Sequence, residues 1–210
     1  VGYQGSGKST LFGWLTGTAP DPASAHSGQL AAVEVPDDRV ERLCEIYAPK
    51  KIVLASIELV DTPGLDPGHD GNAGRLSLIR EAGCLVHVVE AFGGGDGCAR
   101  LQSFEDDLLL ADLEIVNRRV EKLRESVKKP RPNREKEEAE LEALLPILAH
   151  LEEGASLADF PMNELQHKVT RSFQLLTEKP QFIVFNLGDD ADEAERLLAA
   201  NPSLVGVRDR

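Results

Sequence analysis

Eight consecutive residues near the start of the chain, Gly2-Tyr3-Gln4-Gly5-Ser6-Gly7-Lys8-Ser9, fit the pattern G-x-x-x-x-G-K-[ST]. The chemistry of this pattern is phosphate binding. Its glycines let backbone N–H groups turn inward around phosphate oxygens. The lysine brings a point charge to the β- and γ-phosphates, and the serine hydroxyl is placed to ligate Mg²⁺. Phosphate contacts are therefore assigned to Gly2, Gly5, Ser6, Gly7, Lys8, Ser9 and Thr10. Lys8 also has a catalytic role through charge neutralisation, and Ser9 is a metal ligand. A helix expected over 8–16 would aim the positive end of its dipole at the same anion.

A second constellation, Asp61-Thr62-Pro63-Gly64, ends an apolar run. A carboxylate here would reach the metal, mostly through water, and the Gly64 N–H would sense the γ-phosphate. Asp61 is thus the second metal-site residue and Gly64 a catalytic candidate. Leu65 stands where many GTPases place a glutamine that orients the attacking water, so slow turnover is expected. His69 follows in a Gly- and Pro-containing loop and is the remaining catalytic candidate, although no partner for it is identifiable. His87 lies on an expected buried strand and reads as a packed histidine. A third group, Asn186-Leu187-Gly188-Asp189, ends another apolar run. Base recognition is assigned to Asn186, Leu187 and Asp189, with Leu187 in place of the lysine of the common Asn-Lys-x-Asp guanine motif.

These residues need a framework. Apolar runs at 30–35, 52–60, 84–89 and 181–185 read as strands, and the spacing predicts helices over 37–47, opened by an Asp cap, and 73–82. Strands alternating with helices imply an α/β fold with a mostly parallel sheet covered by helices on both faces. Only Val1 precedes the phosphate loop, so the chain is expected to lack its first strand, and its C-terminal end also looks cut. The 210 residues carry 23 basic and 36 acidic side chains, which argues against non-specific nucleic-acid binding by the surface as a whole. Three cysteines without a C-x-x-C pair suggest neither a zinc site nor a disulfide framework, and unpaired thiols fit a reducing, cytoplasmic setting. No apolar run approaches membrane-spanning length.

Between the last two strands the pattern changes. Leu109, Leu113, Val116, Val120, Leu123 and Val127 step by alternating fours and threes, a coiled-coil seam, and Leu141, Leu144, Leu148 and Leu151 repeat it after a turn at 130–133. An inserted antiparallel helical hairpin is expected, its first helix covering about 105–128, with a kink at Pro146. The division is then 1–100 for the first part of the nucleotide-binding domain, 101–178 for the hairpin and 179–210 for the remainder. From 118 to 136 the hairpin holds nine basic residues against three acidic ones. Solvated helix faces with i,i+4 pairs are one reading. Contact with RNA phosphates, through Lys128, Lys129, Arg131 and Arg134, is the other.

With phosphate loop, Asp-x-x-Gly, hairpin and Asn-x-x-Asp in this order, the chain resembles the YchF/Obg-like ATPase family. Val33-Glu34-Val35-Pro36-Asp37-Asp38-Arg39-Val40 looks like that family's V-P-D-x-R stretch, and Ile57-Glu58-Leu59-Val60-Asp61 its E-F-V-D. Ile79-Arg80-Glu81, Val86-His87-Val88-Val89, Leu110-Ala111-Asp112-Leu113-Glu114 and Leu176-Thr177-Glu178-Lys179-Pro180 match further family segments. The resemblance implies a P-loop NTPase fold, a preference for ATP, Mg²⁺ as cofactor, Asn186 and Asp189 on the adenine side, a further C-terminal domain and contact with ribosomes. Three features depart from it. Gly5-Ser6 replace Asn-Val, Ala25 aligns with the switch-I threonine that ligates Mg²⁺, and Asp189 replaces glutamate. Ser24 or Ser27 would have to supply the missing hydroxyl.

Three functions compete on this basis. One is a slowly hydrolysing, ATP-preferring molecular switch associated with ribosomes. Another is a GTPase of the same class, since Asn186 and Asp189 retain two residues of the guanine motif. The third is a nucleotide-binding scaffold without hydrolysis, favoured by Leu65, Ala25 and the lost asparagine.

Overall fold

The computed structural model describes residues 1–200 except 22–23, 25–26, 68–71, 93–94, 131 and 189–190. His69, Arg131, Asp189 and Ala25 therefore lie outside the described residues. The chain forms two compact units, one of Val1–Ser6 with Gly64–Arg210 and one of Gly7–Pro63.

In the Gly7–Pro63 unit, helix α1 (Lys8–Thr16) packs against a two-stranded antiparallel sheet of β1 (Gln29–Glu34) and β2 (Ser56–Asp61). Helix α2 (Asp38–Tyr47) begins at the expected Asp37 cap, whose side chain accepts the Arg39 N–H. β2 starts four residues later than the apolar run at 52–60 predicts. Val35 N–H still donates to Ala55 O at 2.8 Å, but the next hydrogen-bonded position of this antiparallel register falls on Asp37, which caps α2 instead of continuing the ladder.

In the larger unit, β3 (Leu85–Glu90) and β4 (Gln181–Asn186) pair in parallel. Val1 joins β3 through its amino group on Val86 O (2.7 Å) and its carbonyl on Val88 N (2.9 Å). On the other side of this short segment, Tyr3 forms a parallel bridge with Leu65. Helix α3 (Ala73–Glu81) supplies Ile79 to the apolar cluster beneath, with Leu65, Leu85, Phe104, Leu108 and Leu176.

The hairpin is α4 (Gly97–Ser126) and α5 (Arg134–Glu152). α4 starts earlier than the heptad pattern alone predicts, because Asp96 caps it by accepting from Cys98 N and Ala99 N. Its 30 residues reach about 45 Å at 1.5 Å per residue. Val116, Val120 and Leu123 interlock with Leu144, Ile147, Leu148 and Leu151 as the seam predicts. α5 runs on through Pro146. That residue and Glu142, whose carbonyl lacks the N–H of residue 146 as a partner, are both exposed, so the lost bond falls on the solvent side of the helix. A further helix, α6 (Glu164–Thr170), packs on α5, and α7 (Ala191–Ala200) follows β4. Among the described residues no helix is long and apolar enough to cross a membrane.

Candidate functional site

The phosphate loop enters from the larger unit. Gly2 has φ +143°, and a Cβ built there would lie 2.5 Å from Val88 O, so only glycine fits between the loop and β3. Gln4 N–H donates to Leu65 O and Leu65 N–H donates to Gly2 O, each at 3.1 Å. The loop's entrance is thereby bracketed by the residue that follows Gly64. Ser6 is buried, and its Oγ has no hydrogen-bond partner among the described residues. The side-chain amide of Asn186, the last residue of β4, donates to the Ser6 carbonyl at 3.0 Å. Sequence spacing placed Asn186 at a base site; the structure adds a bond to the phosphate loop itself. Leu187 is half-buried directly after it.

The loop continues into α1 of the other unit. Gly7 takes a left-handed conformation (φ +95°) as N-cap and offers no side chain to the first turn. The helix N-terminus is thus left open, as an anion site requires. Gly5, also left-handed, has nothing within 4 Å of its would-be Cβ. Lys8 is buried, while Ser9 and Thr10 are exposed. Asp61 closes β2, and Thr62 beside it is buried with its Oγ1 unpartnered among the described residues. Ser9 and Asp61 provide hard oxygen donors of the kind Mg²⁺ takes, and neither side chain forms a bond to another described residue. The described residues hold no group of three or more His, Cys, Asp or Glu that could bind a metal by itself. The donor set and the open cradle therefore fit a Mg²⁺–nucleotide.

Other expected residues are placed less favourably. Ser24, one candidate substitute for the switch threonine, donates its hydroxyl to Asp21 Oδ2 at 3.2 Å. Leu65, at the position of a hydrolytic glutamine, is fully buried. His87 is buried against the Phe104 ring, with centroids 4.0 Å apart, in keeping with a packing role. At the hairpin, Lys128 pairs with Glu125 and Arg134 with Glu138, and Arg119 forms a bidentate pair with Glu140 (2.7 Å for both bonds). One polar group was not singled out from sequence: Arg75, in the first turn of α3, donates to Gly64 O and to Asp66 Oδ2. No local spacing rule would have signalled it.

The fold is that of a P-loop GTPase. A family model described as 50S ribosome-binding GTPase matches residues 1–131, and the chain belongs to that family. Within it, the resemblance to the YchF/Obg-like ATPases holds. The chain is 30% identical over 208 residues to the ribosome-binding ATPase YchF of Bacillus subtilis, covering 90% of this chain and 56% of that protein. It is 31% identical over 206 residues to Obg-like ATPase 1 of Oryza sativa subsp. indica, covering 90% and 52%. The structure of the Schizosaccharomyces pombe YchF GTPase superposes with a TM-score of 0.76 at 25% identity, over 96% of this chain and 61% of that one. The chain thus spans about half the length of these curated relatives.

Proposed function

We propose that this chain binds a purine nucleoside triphosphate with Mg²⁺ and hydrolyses it slowly, preferring ATP to GTP, as the switch of a ribosome-associated protein. The observation that carries the reading is the open phosphate loop: left-handed Gly5 and Gly7, an uncapped helix N-terminus, and Lys8 at its first turn. In this reading Gly2, Gly5, Ser6, Gly7, Lys8, Ser9 and Thr10 hold the phosphates. Ser9 and Asp61 hold Mg²⁺, which when bound offsets charge on the phosphate oxygens. Lys8 neutralises the β/γ side, the Gly64 N–H faces the γ-phosphate, and Asn186, Leu187 and Asp189 meet the base. His69 would be a further catalytic group on the same loop as Gly64. The hairpin between the two parts of the nucleotide domain is the arm that reaches a ribosomal partner through Lys128, Lys129, Arg131 and Arg134. The names of the relatives support the nucleotide and ribosome parts of this proposal.

Titrating the protein with fluorescent ATP and GTP in the presence of Mg²⁺ tests the base preference; equal affinity, or tighter GTP, counts against the adenine reading. Buried Leu65 favours a second reading, in which the domain binds nucleotide without hydrolysing it. A side chain sealed in the apolar cluster cannot orient water, so any turnover must use another group. Single-turnover hydrolysis with Lys8→Ala as control separates the two. A rate equal to that control favours the non-hydrolysing scaffold.

A further inference from the structure

We propose that Arg75 is a positioning residue for Gly64, setting the triphosphate-sensing segment before nucleotide arrives; this rests on the nucleotide reading above. In P-loop switches the segment after the Asp-x-x-Gly motif becomes ordered through its γ-phosphate contact. Here residues 64–66 are already fixed from three sides. Arg75 Nη1 donates to Gly64 O at 2.6 Å and to Asp66 Oδ2 at 2.7 Å. Leu65 uses both its N–H and its carbonyl on the phosphate-loop entrance, at Gly2 and Gln4. Asn72 closes the far end: its Oδ1 accepts Asp66 N–H at 3.1 Å and its Nδ2 donates to Asp66 O at 2.8 Å.

The main-chain groups of residues 64–66 are therefore all committed except one. The Gly64 N–H has no hydrogen-bond partner among the described residues, and it is the group assigned to the γ-phosphate. The Gly64 carbonyl and the Leu65 N–H belong to one peptide plane, held by Arg75 on one edge and by Gly2 O on the other. That plane anchors the Cα of Gly64, so the Gly64 N–H, in the preceding peptide, is separated from a fixed support only by the residue's own two torsions. Charge-assisted bonds from a guanidinium are the strong class of hydrogen bond. A segment ordered in advance also avoids the entropic cost of ordering at the moment of binding. Arg75 should consequently favour triphosphate over diphosphate, because only the triphosphate has the group that Gly64 meets.

The test compares affinities of the protein and its Arg75→Ala and Arg75→Lys variants for Mg²⁺–ADP and for the non-hydrolysable β,γ-imido analogue of ATP. Amide hydrogen exchange at Leu65 and Asp66 is followed without nucleotide. Arg75→Ala is expected to weaken the triphosphate analogue about tenfold while ADP changes less than about twofold, and to speed exchange at both amides. Arg75→Lys, which keeps a donor and the charge, should recover part of both effects. Equal losses for the two nucleotides, no loss for either, or unchanged exchange overturn the role of Arg75 while leaving nucleotide binding intact. Failure of the unsubstituted protein to bind either nucleotide overturns the nucleotide reading, and this role with it.

Discussion

The side-chain amide of Asn186 donates to the Ser6 carbonyl at 3.0 Å, joining residues 180 positions apart. One residue thus ends the parallel strand β4 and steadies the phosphate loop. Asn186→Ala removes a single partly buried hydrogen bond, worth about 1 kcal/mol net. Through the loop alone, ATP and GTP affinity should each fall about fivefold, since about 1.4 kcal/mol corresponds to tenfold. Fluorescent-nucleotide titration checks this. A loss confined to one nucleotide would instead show that Asn186 acts chiefly on the base.

Asp112 is completely buried on α4. One of its oxygens accepts from Arg80 Nη1 at 2.8 Å, and the other accepts from Thr177 N and Oγ1 at 2.8 and 2.9 Å. Arg80 also donates to the carbonyls of Ala111 and Gln174. Removing one partner of such a pair strands a buried charge, so Asp112→Ala is expected to cost about 3–5 kcal/mol of stability. Urea unfolding measures it. Asp112→Asn retains an acceptor and should cost less.

That network also explains what was legible beforehand. Ile79-Arg80-Glu81, Leu110-Ala111-Asp112 and Leu176-Thr177 were three separate stretches of family likeness, and in the fold they meet at one carboxylate. Local signals read well: the phosphate loop, the Asp37 cap and the 116–123 seam against 144–151 depend on residues close in sequence. Non-local limits did not. Where β2 begins depends on where the opposite strand gives way to α2 at Asp37, and the hold of Arg75 on Gly64 crosses a loop with no periodic signal. The short helix α6 carries its own sign, the Asn163–Gln166 capping box, but lies outside the heptad pattern that marks the hairpin.

Alkaline pH should act on Tyr3. Its hydroxyl donates to Asp107 Oδ2 at 2.7 Å, and its ring meets Phe104 edge-on with centroids 5.3 Å apart. Burial first, then the Asp107 hydrogen bond and the charges of Asp107 and Asp106, push the phenol well above its usual range. A phenol whose pKa is higher folded than unfolded stabilises the fold fully while both states keep the proton. Above about pH 10 the unfolded chain loses the proton first, so this contribution declines as pH climbs towards the folded value. Tyr3→Phe should therefore show a shallower loss of stability above about pH 10 than the unsubstituted protein. Denaturation midpoints across that range test it; parallel slopes would exclude the contribution.

For the RNA contact proposed at the hairpin, ion pairs rank the cations. Arg119 is held by Glu140 across the two helices, and Arg118, exposed, is paired with Glu114 along α4. Lys128 and Arg134 face Glu125 and Glu138. Lys129 is exposed beside the turn without an ion pair among the described residues. Exposed pairs are worth about 0–1 kcal/mol, so Lys128 and Arg134 can be recruited by a stronger anion, but each must first leave a carboxylate. Lys129→Glu should accordingly weaken ribosome association more than Arg134→Glu and lower the salt slope of log affinity by about 1. Nucleotide affinity should not change. Ribosome co-sedimentation across a salt series measures both variants. A larger loss from Arg134→Glu would mean that the pair with Glu138 breaks on binding and that the contact surface lies further along α5. Arg119→Glu is the contrasting case: by opposing Glu140 it should lower hairpin stability itself, seen as a reduced unfolding midpoint before any ribosome is added.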